Sequence, residues 1–313
     1  MENNGNNHAT MEEFIVEAEL SGERLDKFLA LVYTDKSRNY FQNLIKNGNI
    51  LINGKKEKSS YKVCEEDLVT IELPEEEELQ ILPENIPLDI LYEDDDFLVV
   101  NKPKDMVVHP APGHTSGTLV NAVMYHCKDR LSGINGQIRP GIVHRIDKDT
   151  TGALIVCKND LAHNKIAEQI KEHSVTRRYV GFVAGIIKEE EGTLESTIGR
   201  HPIDRKKMAP NVKNGKNAIT HYKVLERFPM HNVSFVQFEL ETGRTHQIRV
   251  HMAMLNHPLL GDPLYGSGKN PYHLIGQALH AEVIGLIHPR SGEYIEVHAP
   301  YPDYFETLFR RFR

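Results

Sequence analysis

The sequence predicts an α+β fold: a small N-terminal domain, then a larger domain built on a central mixed, largely antiparallel sheet. Three observations carry this. Short apolar runs bounded by Gly, Pro and Asn outnumber the segments with helical periodicity, and several follow one another with no helix between, which argues against a regular βαβ winding. An acidic, proline-interrupted stretch divides the 313-residue chain, whose length suits about two domains. No repeat of about 20–50 residues is evident, and neither GxGxxG nor GxxxxGKS/T occurs, so repeat architectures and a nucleotide cofactor lack support.

Residues 1–13 are a polar, Asn-rich tail expected to be disordered, with no signal-peptide pattern. The small domain is expected over 14–75. Leu25, Phe28, Leu29 and Val32 mark a helix within 22–33, and Tyr40, Phe41, Leu44 and Ile45 mark a second over 37–47, with Ser37 as N-cap and Asn47-Gly48 as stop. Ile50-Leu51-Ile52 runs into Asn53-Gly54, a strong hairpin-turn signal, and 63–73 supplies a further strand. Residues 76–88, with Pro83 and Pro87 behind a run of four glutamates, read as a solvated acidic linker acting as a tether. In the larger domain, 89–313, strands are expected at 97–100, 154–156, 179–187, 218–225, 233–240 and 294–297. Helices are expected over 161–173 and from 245 to about 257, just before Pro258.

Charge narrows the partners. The chain carries -7 overall, but Glu65 to Asp96 holds fourteen acids and no Lys or Arg, which leaves the remainder at +7. Lys36 to Lys62 holds seven basic residues against one acid, and Arg200 to Lys216 six against one. Clusters of this density are the footprint of phosphate-backbone contact, so nucleic acid is the expected partner. No apolar run approaches the ~18 residues of a membrane span, so no membrane partner and a cytoplasmic location are expected. Cys64, Cys127 and Cys157 are too few and too widely spaced for a disulfide framework or a CxxC metal site, and read as isolated buried thiols.

Chemistry concentrates in two stretches. Residues 140–156 run from strand to loop to strand through His144-Arg145-Ile146-Asp147, and an Asp there can be nucleophile, general base or metal ligand, held in its ionised form by a cation or hydrogen bonds. A cation is offered by Gly243-Arg244-Thr245-His246-Gln247-Ile248-Arg249, with Arg249 one turn inside the expected helix. Either stretch alone fits a structural salt-bridge network equally well. No metal is expected despite 17 histidines: His246 and His251 are five positions apart, and no Cys or acid joins them at a ligand spacing.

Ordered motifs then carry a resemblance. Glu23-Arg-Leu-Asp-Lys-Phe28, Ser37-Arg38 and Gly48-Asn-Ile-Leu-Ile-Asn-Gly-Lys55 resemble an S4 RNA-binding domain, in which Lys36, Arg38, Lys46, Lys55 and Lys56 fall at RNA-facing positions. Asn101-Lys-Pro103 through His109-Pro110, His144 through Gly152, Gly243 through His251, Gly261-Asp262 and Ala278-Leu-His-Ala281 resemble the RluA family of pseudouridine synthases. With Leu131-Ser-Gly133, Gly199 through Arg205 and the S4-like front, the whole chain is similar to the RluD-type enzymes of the large ribosomal subunit. It departs from the pattern only at Ile146 and Thr150-Thr151, which preserve shape or hydroxyl character.

The resemblance implies a pseudouridine synthase fold and a cofactor-free isomerase that breaks the uridine N-glycosidic bond and rejoins the base through C5. By it, Asp147 acts on the ribose, as nucleophile at C1′ or by abstracting a 2′ proton; Arg249 pairs with it; Tyr179 stacks on the base and assists at C5. Arg145 fills the space left by the flipped nucleotide, whose extrusion costs a few kcal/mol. His144, Arg244, Ile248 and Leu279 are further substrate contacts, with Ile248 and Leu279 as apolar walls, and Arg205, Lys206 and Lys207 contact RNA. The implied partner is structured RNA, 23S rRNA first and another structured RNA such as tRNA second. Two rivals stand beside this. Asp147-Lys-Asp149-Thr-Thr151 fits the DxDxT pattern of haloacid-dehalogenase-type phosphotransferases, but His144-Arg145 interrupts the required apolar strand and no second acid pair follows. A non-enzymatic RNA-binding or assembly factor explains the basic stretches but not an acid facing a polyanion.

Overall fold

The computed structural model describes residues 10–34, 36–73, 81–110, 115–128, 130–134 and 140–313. The chain divides into two compact units, Met1–Glu78 and Leu79–Arg313.

In the first unit, β1 (Thr10–Ile15), α1 (Leu25–Val32), α2 (Arg38–Asn47), β2 (Ile50–Ile52), β3 (Lys55–Lys56) and β4 (Leu68–Leu73) form two helices and a sheet of order β1-β4-β2-β3. The helices bury Leu25, Phe28, Leu29, Phe41, Leu44 and Ile45 with Val69 and Ile71 of β4. Local chemistry sets the boundaries. Ser37 Oγ accepts from the Tyr40 N–H, and Gly48 ends α2 at φ +84. Asn53 and Gly54, both at positive φ, make the two-residue turn from β2 to β3. Two expectations are corrected here. Residues 10–13, assigned to the tail, pair with β4 through an edge strand in which the adjacent Glu12 and Glu13 break the apolar alternation; residues 1–9 lie outside the described residues. The strand expected from 63 begins only at Leu68, because the Asp67 carboxylate accepts from the Cys64 N–H, Asn53 Nδ2 and Tyr61 Oη and shapes a turn instead.

The second unit runs β5 (Ile90–Glu93), β6 (Phe97–Lys102), α3 (Leu119–Cys127), β7 (Thr151–Cys157), α4 (Asp160–Lys171), β8 (Thr176–Ala184), β9 (Glu191–Arg200), β10 (Met208–Pro210), β11 (Lys216–Phe228), β12 (Val233–Leu240), α5 (Gln247–Met254), β13 (Leu279–Ile287), β14 (Tyr294–His298) and α6 (Asp303–Phe312). The sheet order is β10-β9-β11-β12-β8-β13-β7-β6-β5, with β14 on β13. Its strand pairings are antiparallel except β13 with β7, so the mixed, largely antiparallel sheet is as expected. That parallel junction is short, pairing only His280 with Thr151 and Ala281 with Gly152. Gly152 permits it: at φ +108 any Cβ would lie 2.2 Å from the Ala281 carbonyl oxygen. The site lies where these two strands begin: Asp147 stands just before β7 and Leu279 opens β13.

The expected linker over 76–88 is also corrected. Residues 76–80 are outside the described residues, but 81–88 are packed: Ile81 is buried in the core that includes Leu119, Val120 and Val123 of α3. Asn121 Nδ2 donates to the Leu82 carbonyl and the Glu84 N–H donates to the Asn121 carbonyl. The strap is therefore part of the larger unit. Of the cysteines, Cys127 and Cys157 are buried as expected, whereas Cys64 is exposed.

Candidate active site

A cavity of about 300 Å³ gathers residues that are far apart in the sequence. The loop before β7 gives His144, Arg145 and Asp147, β8 gives Tyr179, the turn into α5 and α5 itself give Arg244, Ile248 and Arg249, and β13 gives Leu279. All eight residues expected to touch substrate line it. Leu240, Ile248 and Leu279 make apolar wall, while Asp147 and Arg249 supply charge, a mix suited to a flat, partly polar ligand.

The charged centre is ordered by a residue the sequence reading did not single out. Asp262, whose side chain is wholly buried, accepts from Arg249 Nε at 2.7 Å and Nη2 at 2.9 Å, and also from the backbone N–H groups of Leu264 and Tyr265. The fork is thereby fixed with Nη1 turned to Asp147 Oδ2 at 2.9 Å. Burial works against the charge on Arg249, but the Asp262 bonds and the field of Asp147 outweigh it and raise its pKa. Burial likewise opposes ionisation of Asp262, and the Arg249 contacts outweigh it and lower its pKa.

The backbone around Asp147 is pinned. The Thr150 N–H donates to the Asp147 carbonyl, Gln277 Nε2 donates to Thr150 Oγ1, and Lys102 Nζ, at zero exposure, donates to the carbonyls of Pro103, Met106 and Lys148. Burial pushes the Lys102 pKa down to about 7 against the fields of Asp149 and Asp147, yet three acceptors match the three donors of the ammonium form, which is the form this geometry fits. His246 opens α5 at φ +58, and its Nε2 stands 3.8 Å from Asp147 Oδ1. His144 takes a structural part as well: its Nε2 accepts from the Ile155 N–H on β7, and burial pushes its pKa down to about 3, so the ring is neutral. Arg145 is exposed and donates to His109 Nε2 at 3.4 Å. Tyr179 is buried beside Ala281 and Phe238, which raises its pKa and keeps the phenol protonated.

The helix expected from 245 to about 257 is shorter, Gln247–Met254, and buried on every face, which erases its periodicity. Gln247 anchors it: Oε1 accepts from Thr242 Oγ1 and the Arg244 N–H, and Nε2 donates to the Ile219 carbonyl and Thr220 Oγ1. His251 bonds Ser196 of β9 and Thr220 of β11. The haloacid-dehalogenase reading is disfavoured, since Asp147 precedes β7 instead of ending a strand.

A family model described as RNA pseudouridylate synthase matches residues 96–254, and an S4 domain model matches 23–69. The chain belongs to the RNA pseudouridylate synthase family. A Bacillus subtilis relative, named as the uncharacterized RNA pseudouridine synthase YlyB, is 52% identical over 94% of this chain and 96% of its own. The ribosomal large subunit pseudouridine synthase D of Zymomonas mobilis is 43% identical over 96% of both chains. Among solved structures, human RNA pseudouridylate synthase domain containing 1 superposes with a TM-score of 0.58 at 31% identity, covering 70% of this chain and 85% of that one.

The first unit of the synthase is thus an S4 domain, and one of its RNA-facing candidates, Arg38, is held by a buried acid. Asp26, with a wholly buried side chain, accepts from Arg24, Arg38 and Gln42, so Arg38 is held in place at the start of α2. Lys36 lies over the Tyr40 ring, and Lys46, Lys55 and Lys56 are exposed. In the catalytic unit, Arg205 and Lys206 are exposed and Lys207 half-buried in the turn between β9 and β10. The one set of three potential metal ligands among the described residues is Asp94, Asp96 and His288. Arg290 binds both oxygens of Asp96, Tyr92 donates to Asp94, and none of the three lines the cavity. No helix among the described residues is long and apolar enough to cross a membrane.

Proposed function

We propose that this RNA pseudouridine synthase modifies structured large-subunit ribosomal RNA, 23S rRNA in bacterial terms, with Asp147 as its catalytic carboxylate. The observation that carries the reading is the buried chain from Asp262 through Arg249 to Asp147, facing a cavity that also holds Tyr179. A binding factor has no use for an acid presented to a polyanion by so costly a buried ion pair. A uridine enters only when flipped out of its stack. Asp147 then acts on the ribose, as nucleophile at C1′ or as base at the 2′ position; Tyr179 supports the base while it detaches, turns and rejoins through C5. Arg145, exposed at the rim, occupies the space the nucleotide leaves. The relatives named for the large ribosomal subunit favour that substrate over tRNA.

The test is pseudouridine mapping on unmodified 23S rRNA incubated with wild type and Asp147→Ala, with EDTA and no added cofactor. Site-specific product with wild type alone is expected. Product on tRNA but not on 23S rRNA would move the substrate, and product with Asp147→Ala would remove Asp147 from the chemistry.

A further inference from the structure

Tyr265 touches Asp262, Arg249 and His246 without lining the cavity. Its N–H donates to Asp262 Oδ1 at 3.0 Å, and its ring lies under the Arg249 guanidinium, 5.2 Å from centroid to Cζ. Its hydroxyl accepts from the Met208 N–H of edge strand β10 at 2.8 Å. The proton of that hydroxyl has two acceptors in reach, His246 Nδ1 at 2.9 Å and the Met208 carbonyl at 3.4 Å, and the 2.9 Å contact fits either tautomer of the histidine. A His246 that accepts at Nδ1 carries its proton at Nε2, the atom 3.8 Å from Asp147 Oδ1. His246 needs such a hold, because its left-handed backbone, φ +58, is a conformation that a residue with a Cβ keeps only when its surroundings impose it.

We propose that Tyr265 is a positioning residue: its hydroxyl, seated on the edge of β10, fixes the Nε2–H tautomer of His246 and aims that N–H at Asp147. The proposal rests on the reading of Asp147 as the catalytic carboxylate. With Nε2–H facing one carboxylate oxygen across 3.8 Å and Arg249 hydrogen-bonded to the other, the plane of the carboxylate is biased toward the ribose, a geometric gain expressed in the rate of the bound complex rather than in RNA affinity. The anchor strand follows directly on Arg205, Lys206 and Lys207.

The test uses the full-length protein in two arms. In the first, long-range ¹⁵N NMR of histidine-labelled wild type and Tyr265→Phe reads the tautomer of His246, assigned by the signal lost in His246→Gln. The expected result is Nε2–H in wild type and loss of that preference in Tyr265→Phe, which keeps the ring over Arg249. In the second, single-turnover pseudouridine formation on an unmodified 23S rRNA transcript should fall about 10- to 100-fold in Tyr265→Phe at saturating enzyme, with the half-saturating concentration unchanged. A wild-type Nδ1–H tautomer, an unchanged tautomer in Tyr265→Phe, or a rate restored fully by saturation overturns the proposal. If Asp147→Ala still forms product, or wild type leaves the transcript unmodified, the catalytic or the substrate reading fails instead, and the tautomer still decides the role of Tyr265.

Discussion

Asp262 shows how much of the site depends on a residue that never meets substrate. Without it, Arg249 has no reason to present Nη1 to Asp147, because the other two guanidinium nitrogens have no other hydrogen-bond partner among the described residues. Asp262→Asn should therefore slow pseudouridine formation at saturating RNA and lower stability at neutral pH by on the order of 3 kcal/mol, as expected when one member of a buried pair loses its charge. The pH dependence has a definite sign. The folded-state pKa of Asp262 is lowered, so its contribution is complete above the ordinary aspartate range near pH 4 and is lost as pH falls toward the folded-state value. Thermal melting of both proteins should show a gap that is wide at pH 7 and narrows below about pH 4; a gap independent of pH would mean that packing, not charge, holds the site. Asp262 was visible in the sequence only as part of a Gly-Asp motif. Its link to Arg249, thirteen positions earlier, follows from the turn after α5, which periodicity does not report.

At the scale of elements, the sequence is legible where one face is wet. α2 has a stripe, a cap and a stop, and its bounds, Arg38–Asn47, match the expectation to within one residue. The 233–240 strand is recovered in full although six of its eight residues are buried, because its apolar run starts directly after the turn residue Asn232. β9 and β13 are missed for opposite reasons: β9 alternates in burial, but its covered positions, Gly192, Leu194, Ser196 and Ile198, include only two apolar side chains, while β13 is buried almost throughout and does not alternate. α6 is different, since Phe305, Leu308, Phe309 and Phe312 recur at helical spacing and pack on Phe182 and Phe235. The β2–β3 hairpin yields a prediction of its own. Lys55 and Lys56 are exposed on β3 and make no ion pair among the described residues, so their charge is available to phosphate. Lys55→Ala with Lys56→Ala should weaken RNA binding uniformly and reduce the slope of log K against log salt by between about 1 and 2. Filter binding across salt concentrations measures this, and an unchanged slope would take β3 off the RNA.

For the molecule as a whole, the division of labour follows from where the groups come from. Every residue lining the cavity belongs to Leu79–Arg313, as do Asp262, Gln277 and Lys102, which hold the lining in place. That unit has its own cores: the β-sheet layer with α3, the layer under α4, and the aromatic cluster beneath α6. The S4 domain has a separate core and supplies exposed cations but no group to the cavity. A fragment starting at Leu79 should therefore fold with a single cooperative transition and retain, at saturating enzyme, a single-turnover rate within about threefold of the full chain, since an energy term of less than 1 kcal/mol separates such rates. Its half-saturating concentration should rise instead, most at low salt, and should depend less steeply on salt than that of the full chain, because the exposed cations of the S4 domain are absent. If the fragment folds but its saturated rate collapses, the S4 domain contributes to assembling the reactive geometry and not only to holding RNA.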